Sequence, residues 1–310
     1  MRRLLPLAFL LSPAVALAGF EASSFKQESR HGANHWSAAS ALDEDLSTAW
    51  MVDPEQSNVG SWFEIGLPRS TVTGVGVVIG WDESAKTFRD HARVKAMKVE
   101  VFDASDGGAP KRVLEHELTF EDQRGWQVVD LPDTEIGDHI FGGRVRLTIT
   151  EVYPGRDYPN LAVPGLRVHL AEQEAPVALV SPPEGALEGH PAEHRVDGDG
   201  RTFWASAGPG EGETFAVGAD GWALSHLGIQ PGPQSHARPK TIEIVASHAT
   251  RTYEVADRAE LQWFMVPPIV GYLGSNWGPV EVRIVDTWPG PRPEVALSEV
   301  KLRATSHSGL

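Results

Sequence analysis

One eight-residue pattern occurs twice in this chain. Asp43-Glu44-Asp45-Leu46-Ser47-Thr48-Ala49-Trp50 and Asp197-Gly198-Asp199-Gly200-Arg201-Thr202-Phe203-Trp204 both read D-x-D-x-x-T-x-W. Further pairs follow in the same order. Phe63-Glu64-Ile65-Gly66 matches Phe215-Ala216-Val217-Gly218, and Arg93-Val94-Lys95 matches Arg238-Pro239-Lys240. Gln127 to Pro132 matches Gln262 to Pro267, and Tyr153-Pro154-Gly155 matches Trp288-Pro289-Gly290 at equal spacing. An ordered series of this kind is the signature of a tandem duplication. The polar stretch 171–176, ending in Pro176, is the expected boundary. The expected division is therefore a leader over 1–18, a first unit over 19–171 and a divergent second unit over 172–310. Each unit is long enough to enclose one hydrophobic core.

The apolar pattern inside each unit has the period of strands. Val75-Gly76-Val77-Val78-Ile79 has the composition of a buried strand, and residues 98–102 and 144–149 alternate polar with apolar as half-buried strands do. Residues 241–245 and 280–285 repeat that alternation in the second unit, and no stretch shows a helical period. With 31 Gly and 23 Pro, the chain suits short strands joined by turns. The predicted fold is all-β: two tandem antiparallel jelly-roll sandwiches.

Arg2 and Arg3 precede an apolar run from Leu4 to Leu17, and Ala16-Leu17-Ala18 supplies the small residues a signal peptidase reads. This is the pattern of a secretory signal peptide with cleavage before Gly19, predicting a periplasmic or secreted protein. A membrane anchor would need a run of about 20 apolar residues, and none of that length follows. The formal charge of −15 disfavours nucleic acid and anionic membranes as partners. Without cysteine there is no disulfide, thiolate metal site or Cys nucleophile. The chain contains no G-x-S-x-G elbow, P-loop or H-E-x-x-H, so no catalytic machinery is expected.

The order of these pieces resembles the galactose-binding-like, discoidin (coagulation factor five/eight type C) domains, whose signature Ala-x-Asp-Gly-x-x-x-Thr-x-Trp fits residues 41–50 and 196–204. The first unit is closest to the subtype found beside bacterial NAD glycohydrolase toxins, linked to toxin translocation. Gly80-Trp81, Phe88 through Lys95 and Val152-Tyr153-Pro154-Gly155 follow that subtype's series, with His91 in place of its Asn. The second unit has only six positions from Gly232 to Arg238 where the first has thirteen from Gly80 to Arg93, so its Gly-aromatic loop is largely lost. The resemblance implies jelly-roll modules that bind carbohydrate or another cell-surface ligand. A structural or protein-interaction role is the alternative, an enzyme such as a glycoside hydrolase ranks last, and NAD glycohydrolase activity is not implied.

Three sets of residues are candidates for chemistry. Trp81 and Phe88 offer flat apolar faces for a sugar ring, with Lys86, Arg89, His91 and Arg93 as donors, while Tyr153, Arg156, Asp157 and Tyr158 form a similar nearby loop. Against this, Trp81 and Phe88 can equally plug the sandwich end, with Arg93 a solvated strand residue. The second set is Asp197, Asp199, Thr202 and Glu299, with Asp43, Asp45 and Thr48 in the first unit. These offer oxygens to a structural calcium, or form plain Asx turns. The third, His31/His35 and His190/His194, has metal-like spacing, but Gly32 and Pro191 interrupt the segments, which read as surface loops. Trp50 and Trp204 are expected in the cores.

Overall fold

The computed structural model describes residues 19–27, 35–43, 45–104, 108–138, 142–181, 185–246, 249–267 and 278–307. The leader over 1–18 and His31 lie outside the described residues. Period-two sequence becomes period-two burial: along Trp62–Leu67 the side chains alternate half-buried and buried, and Gly165–Leu170 ends in the same alternation. Such strands bury one face against a second sheet and leave the other to solvent.

In the first unit the strands Phe20–Ala22, Trp62–Leu67, Gly143–Tyr153, Arg93–Asp103 and Lys111–Thr119 lie side by side in that order. Facing them is a three-stranded sheet, Gly165–Leu170, Ser70–Val78 and Trp126–Ile136. A two-residue ladder joins Trp50 to Val163 and Met51 to Ala162. Among the described residues, positions 173–307 build ten further strands that are joined in one sheet. Ala178–Ser181, Thr214–Gly218, Val280–Trp288, His236–Ala246 and Ala249–Glu254 follow one another in pairing. Trp222–Pro231 sits between Gln262–Met265 and Arg292–His307, and Trp204–Pro209 pairs with that last strand. The all-β sandwich expectation is met.

Two hydrophobic clusters fill the sandwiches, one drawn from residues 38–170 and the other from 175–304. Trp50 and Trp204 are fully buried at their centres. Trp50 packs on Phe63 at 5.7 Å, and its indole N–H donates to the Ser24 carbonyl at 2.8 Å. Truncating either Trp would cost about 3–5 kcal/mol through the cavity it leaves.

The two units also share side-chain struts. The Arg93 guanidinium donates to both Asp122 oxygens at 2.6 and 2.9 Å and to the His91 carbonyl at 2.9 Å. Arg238 does the same with Asp257, at 2.6 and 2.9 Å, and the His236 carbonyl at 2.8 Å. The Gln127 amide pairs with both backbone groups of Glu121, and the Gln262 amide with both of Ala256. These are charge-assisted or doubly satisfied bonds, which fix loop geometry strongly.

One sequence expectation needs correction. The 80–93 segment contains an α-helix, Ala85–Asp90, where no helical period was seen. Six residues are too few to show periodicity. The helix instead rests on its start signal, a capping box in which Ser84 and Thr87 satisfy each other's backbone N–H groups. The boundary stretch at 171–176 is tied down by backbone pairing. Gln173–Ala175 is already a strand of the second unit, pairing with Leu302, Arg303 and Ala304, and only Ala171 and Glu172 separate it from Gly165–Leu170. Glu172 contacts His226 at 2.6 Å and Arg303 at 3.7 Å.

Candidate functional site

The helix Ala85–Asp90 and the 153–159 turn lie against each other at one end of the first sandwich. Backbone N–H groups of Asp157 and Tyr158 donate to the Asp90 carbonyl at 3.1 and 2.8 Å, and that of Arg156 to the Arg89 carbonyl at 3.0 Å. Gly155 permits this approach, because a Cβ there would stand 2.2 Å from the Tyr158 oxygen and 2.6 Å from that of Asp90. Gly290 meets the same constraint in the second unit, 2.1 Å from the His236 oxygen.

Of the nine aromatic and basic ligand candidates from the sequence, the structure turns three inward. Phe88 is 6% exposed and belongs to the core. Arg93 is 8% exposed, its guanidinium 5.3 Å from the Phe88 ring and committed to Asp122. The Tyr153 hydroxyl donates to the Phe120 carbonyl at 2.9 Å.

The other six form a surface. Trp81, His91 and Tyr158 run as a chain of rings, Trp81 edge-on to His91 at 5.0 Å and His91 stacked on Tyr158 at 4.7 Å. Tyr158 is half-exposed, and it lines a depression of about 360 Å³ together with Asn58, Pro154 and Arg156. Lys86, one helical turn before it, and Arg156, from the facing turn, both pair with the buried Asp90 carboxylate, while the Arg89 side chain is exposed. The Lys86 hydrogen bond, helped by the Arg156 charge, holds the Asp90 carboxyl below its ordinary value despite burial.

Burial pushes the His91 pKa down, so its ring is neutral at neutral pH. Nδ1 lies 3.0 Å from the Thr87 carbonyl and therefore carries the proton, leaving Nε2 as an acceptor. The surface thus offers an exposed aromatic face, cationic donors and one neutral acceptor.

Sequence reasoning missed Trp36, which extends the ring chain 5.1 Å from Trp81, and Lys26, 5.5 Å over the Trp36 ring. Both lie upstream of the recognised motif, where nothing in the spacing marks them. It also passed over the H-A-R triplets at 91–93 and 236–238, which were visible.

The acidic turns close on themselves. Thr202 donates to Asp197 at 2.8 Å and to the Asp199 carbonyl at 2.8 Å, and Thr48 does so to Asp43 and the Asp45 carbonyl at 2.8 and 3.0 Å. Arg201 takes both Asp199 oxygens, and its hydrogen bonds lower that carboxyl to about 2. Glu299 is buried, which raises its pKa, and the Asp197 charge raises it further. These bonds close both segments as Asx turns, with the Arg201 guanidinium on the Asp199 oxygens. Among the described residues no three His, Asp or Glu side chains are grouped to hold a metal ion. His190 packs on Phe203 at 4.0 Å, and His35 on Trp36 at 4.2 Å.

A larger cavity, of about 660 Å³, lies elsewhere, lined by Arg69, Asp138, Glu172 and Trp222 among others. None of the sequence-derived site residues lines it. No helix among the described residues is long and apolar enough to cross a membrane.

Sandwich, signature turn and end-loop surface together define a binding module of the F5/8 type C class. The model of the NAD glycohydrolase translocation F5/8 type C domain matches residues 14–169, and the chain belongs to that family. A search of curated proteins returns no match. Among solved structures, the chain is similar to a fucolectin from striped bass serum (12% identity, 94% of this chain and 97% of that one, TM-score 0.34). It is also similar to the family 32 carbohydrate-binding module of Clostridium perfringens NanJ in complex with galactose (16%, 43% and 99%, TM-score 0.31). A mycobacterial arabinofuranosyltransferase is a third (14%, 94% of this chain, TM-score 0.33), and the chain spans 29% of its length.

Proposed function

We propose that the chain is an exported, non-catalytic protein of two tandem F5/8 type C modules, over 19–171 and 172–310, that binds carbohydrate through the first. The observation carrying this reading is the exposed Tyr158 ring, backed by His91 and Trp81 and flanked by Arg89, Lys86 and Arg156. A sugar presents an apolar C–H face to stack on the phenol and hydroxyls to meet fixed donors and acceptors. Arg89 would donate to a ring or hydroxyl oxygen, and His91 Nε2 would accept from a hydroxyl. A similar strand order and repeated Arg–Asp struts support the two-module division, and the leader pattern supports export.

A glycan array probed with residues 19–310 tests this. Specific binding that disappears in Tyr158→Ala and Trp81→Ala, with unchanged far-ultraviolet circular dichroism, is the expected result. A blank array with folded protein would exclude the glycan reading and leave a protein partner.

A further inference from the structure

The second core contains a charge with no counterpart in the first. Arg195 closes the short 3₁₀ turn Ala192–Arg195, where the first unit has Ala41 at the end of Ala38–Ala41. Its side chain is fully buried, with the guanidinium carbon 4.3 Å from the Phe215 ring centroid and 5.0 Å from that of Trp204. Ring faces attract the cation but satisfy few of its N–H groups. Nε, Nη1 and Nη2 have no hydrogen-bond partner among the described residues, and neither has the Trp204 indole nitrogen. In the first unit the equivalent indole donates to the Ser24 carbonyl.

Burial lowers the Arg195 pKa to about 10, so the group is still charged at neutral pH. Glu193 and Glu213 act on it electrostatically without a hydrogen bond to it. Buried polar groups are almost always paired, and an unpaired buried charge is the costliest exception. Guanidinium and indole N–H groups are donors only, so what completes them must be an acceptor. Water would satisfy the hydrogen bonds but leave the charge. An anion does both, and full enclosure limits it to a small one.

We infer that the second module binds a single halide-sized anion at Arg195, with the Trp204 indole N–H as a further donor. Two measurements on residues 19–310 test this. Crystals soaked in sodium bromide should show an anomalous bromine peak within hydrogen-bond distance of the Arg195 guanidinium. In solution, replacing gluconate by chloride at constant ionic strength should raise Tm by several degrees and then saturate, and Arg195→Met should abolish the dependence.

Absence of the bromine peak together with a flat chloride response would overturn the inference. So would a chloride response undiminished in Arg195→Met. Glu213→Gln separates the internal alternative: if the Glu213 carboxylate closes on Arg195 in solution, this variant loses stability and the wild type ignores chloride. The bromide experiment on the wild type decides the matter even if Arg195→Met fails to fold.

Discussion

His91 and His236 precede identical Ala-Arg pairs, and their carbonyls accept from equivalent arginines, yet their surroundings differ. In the first unit the helix Ala85–Asp90 stands beside His91, and the ring stacks on a half-exposed Tyr158. In the second unit that insertion is missing. His236 is 3% exposed, 5.0 Å from Phe203 and 6.0 Å from His190, and Pro293 follows Gly290 where Tyr158 follows Gly155. Around His91 the sandwich end carries an open aromatic face, and around His236 a closed plug. The struts that shape the sandwich end are separable from the side chains that would meet a ligand.

That separation can be broken at several strengths. Gly155→Ala and Gly290→Ala should be the most damaging, because backbone blocks the new methyl in both. A loss of about 3 kcal/mol each is expected in denaturant titration, and a marked inequality would argue against equivalent turns. Arg93→Ala and Arg238→Ala should each cost about 2 kcal/mol, discounted for the partly exposed Asp122 and Asp257 partners. Tyr158→Ala should abolish binding while costing less than about 1 kcal/mol of stability, as expected for a surface position.

Acidification gives a smaller, shared effect. Burial lowers the pKa of His91 and of His236, the latter further lowered by Arg292 and His190. As pH falls through about 6.5 the unfolded chain takes up these protons first. Stability should be full above that pH and decline below it, and His91→Gln should remove part of the slope in thermal melts, the rest staying with His236 and with His169, whose pKa burial also lowers. Chelation should do least of all: with Arg201 on Asp199, Tm should be unchanged by EDTA.

The repeated D-x-D-x-x-T-x-W turn, the alternating strands and the buried Trp50 and Trp204 were legible because backbone periodicity and turn chemistry write themselves locally. The partition of the end-loop residues was not. Phe88 and Trp81 look alike in sequence, but only Phe88 sits on the inward side of a helix too short to show a period. Arg93 reads as a surface cation until Asp122, from a distant turn, is found beneath it. Trp36 and Lys26 join the site through tertiary contact alone. Arg195 was invisible for the same reason, since its burial depends on Phe215 and Trp204 closing over it.

The most direct test is hydrogen exchange read by mass spectrometry on residues 19–310, with and without a glycan that binds on the array. Protection confined to residues 81–91 and 153–159, with 232–238 unchanged, is the predicted result. Protection centred on 232–238 and 190–203, or spread evenly over both modules, would contradict the assignment of binding to the first.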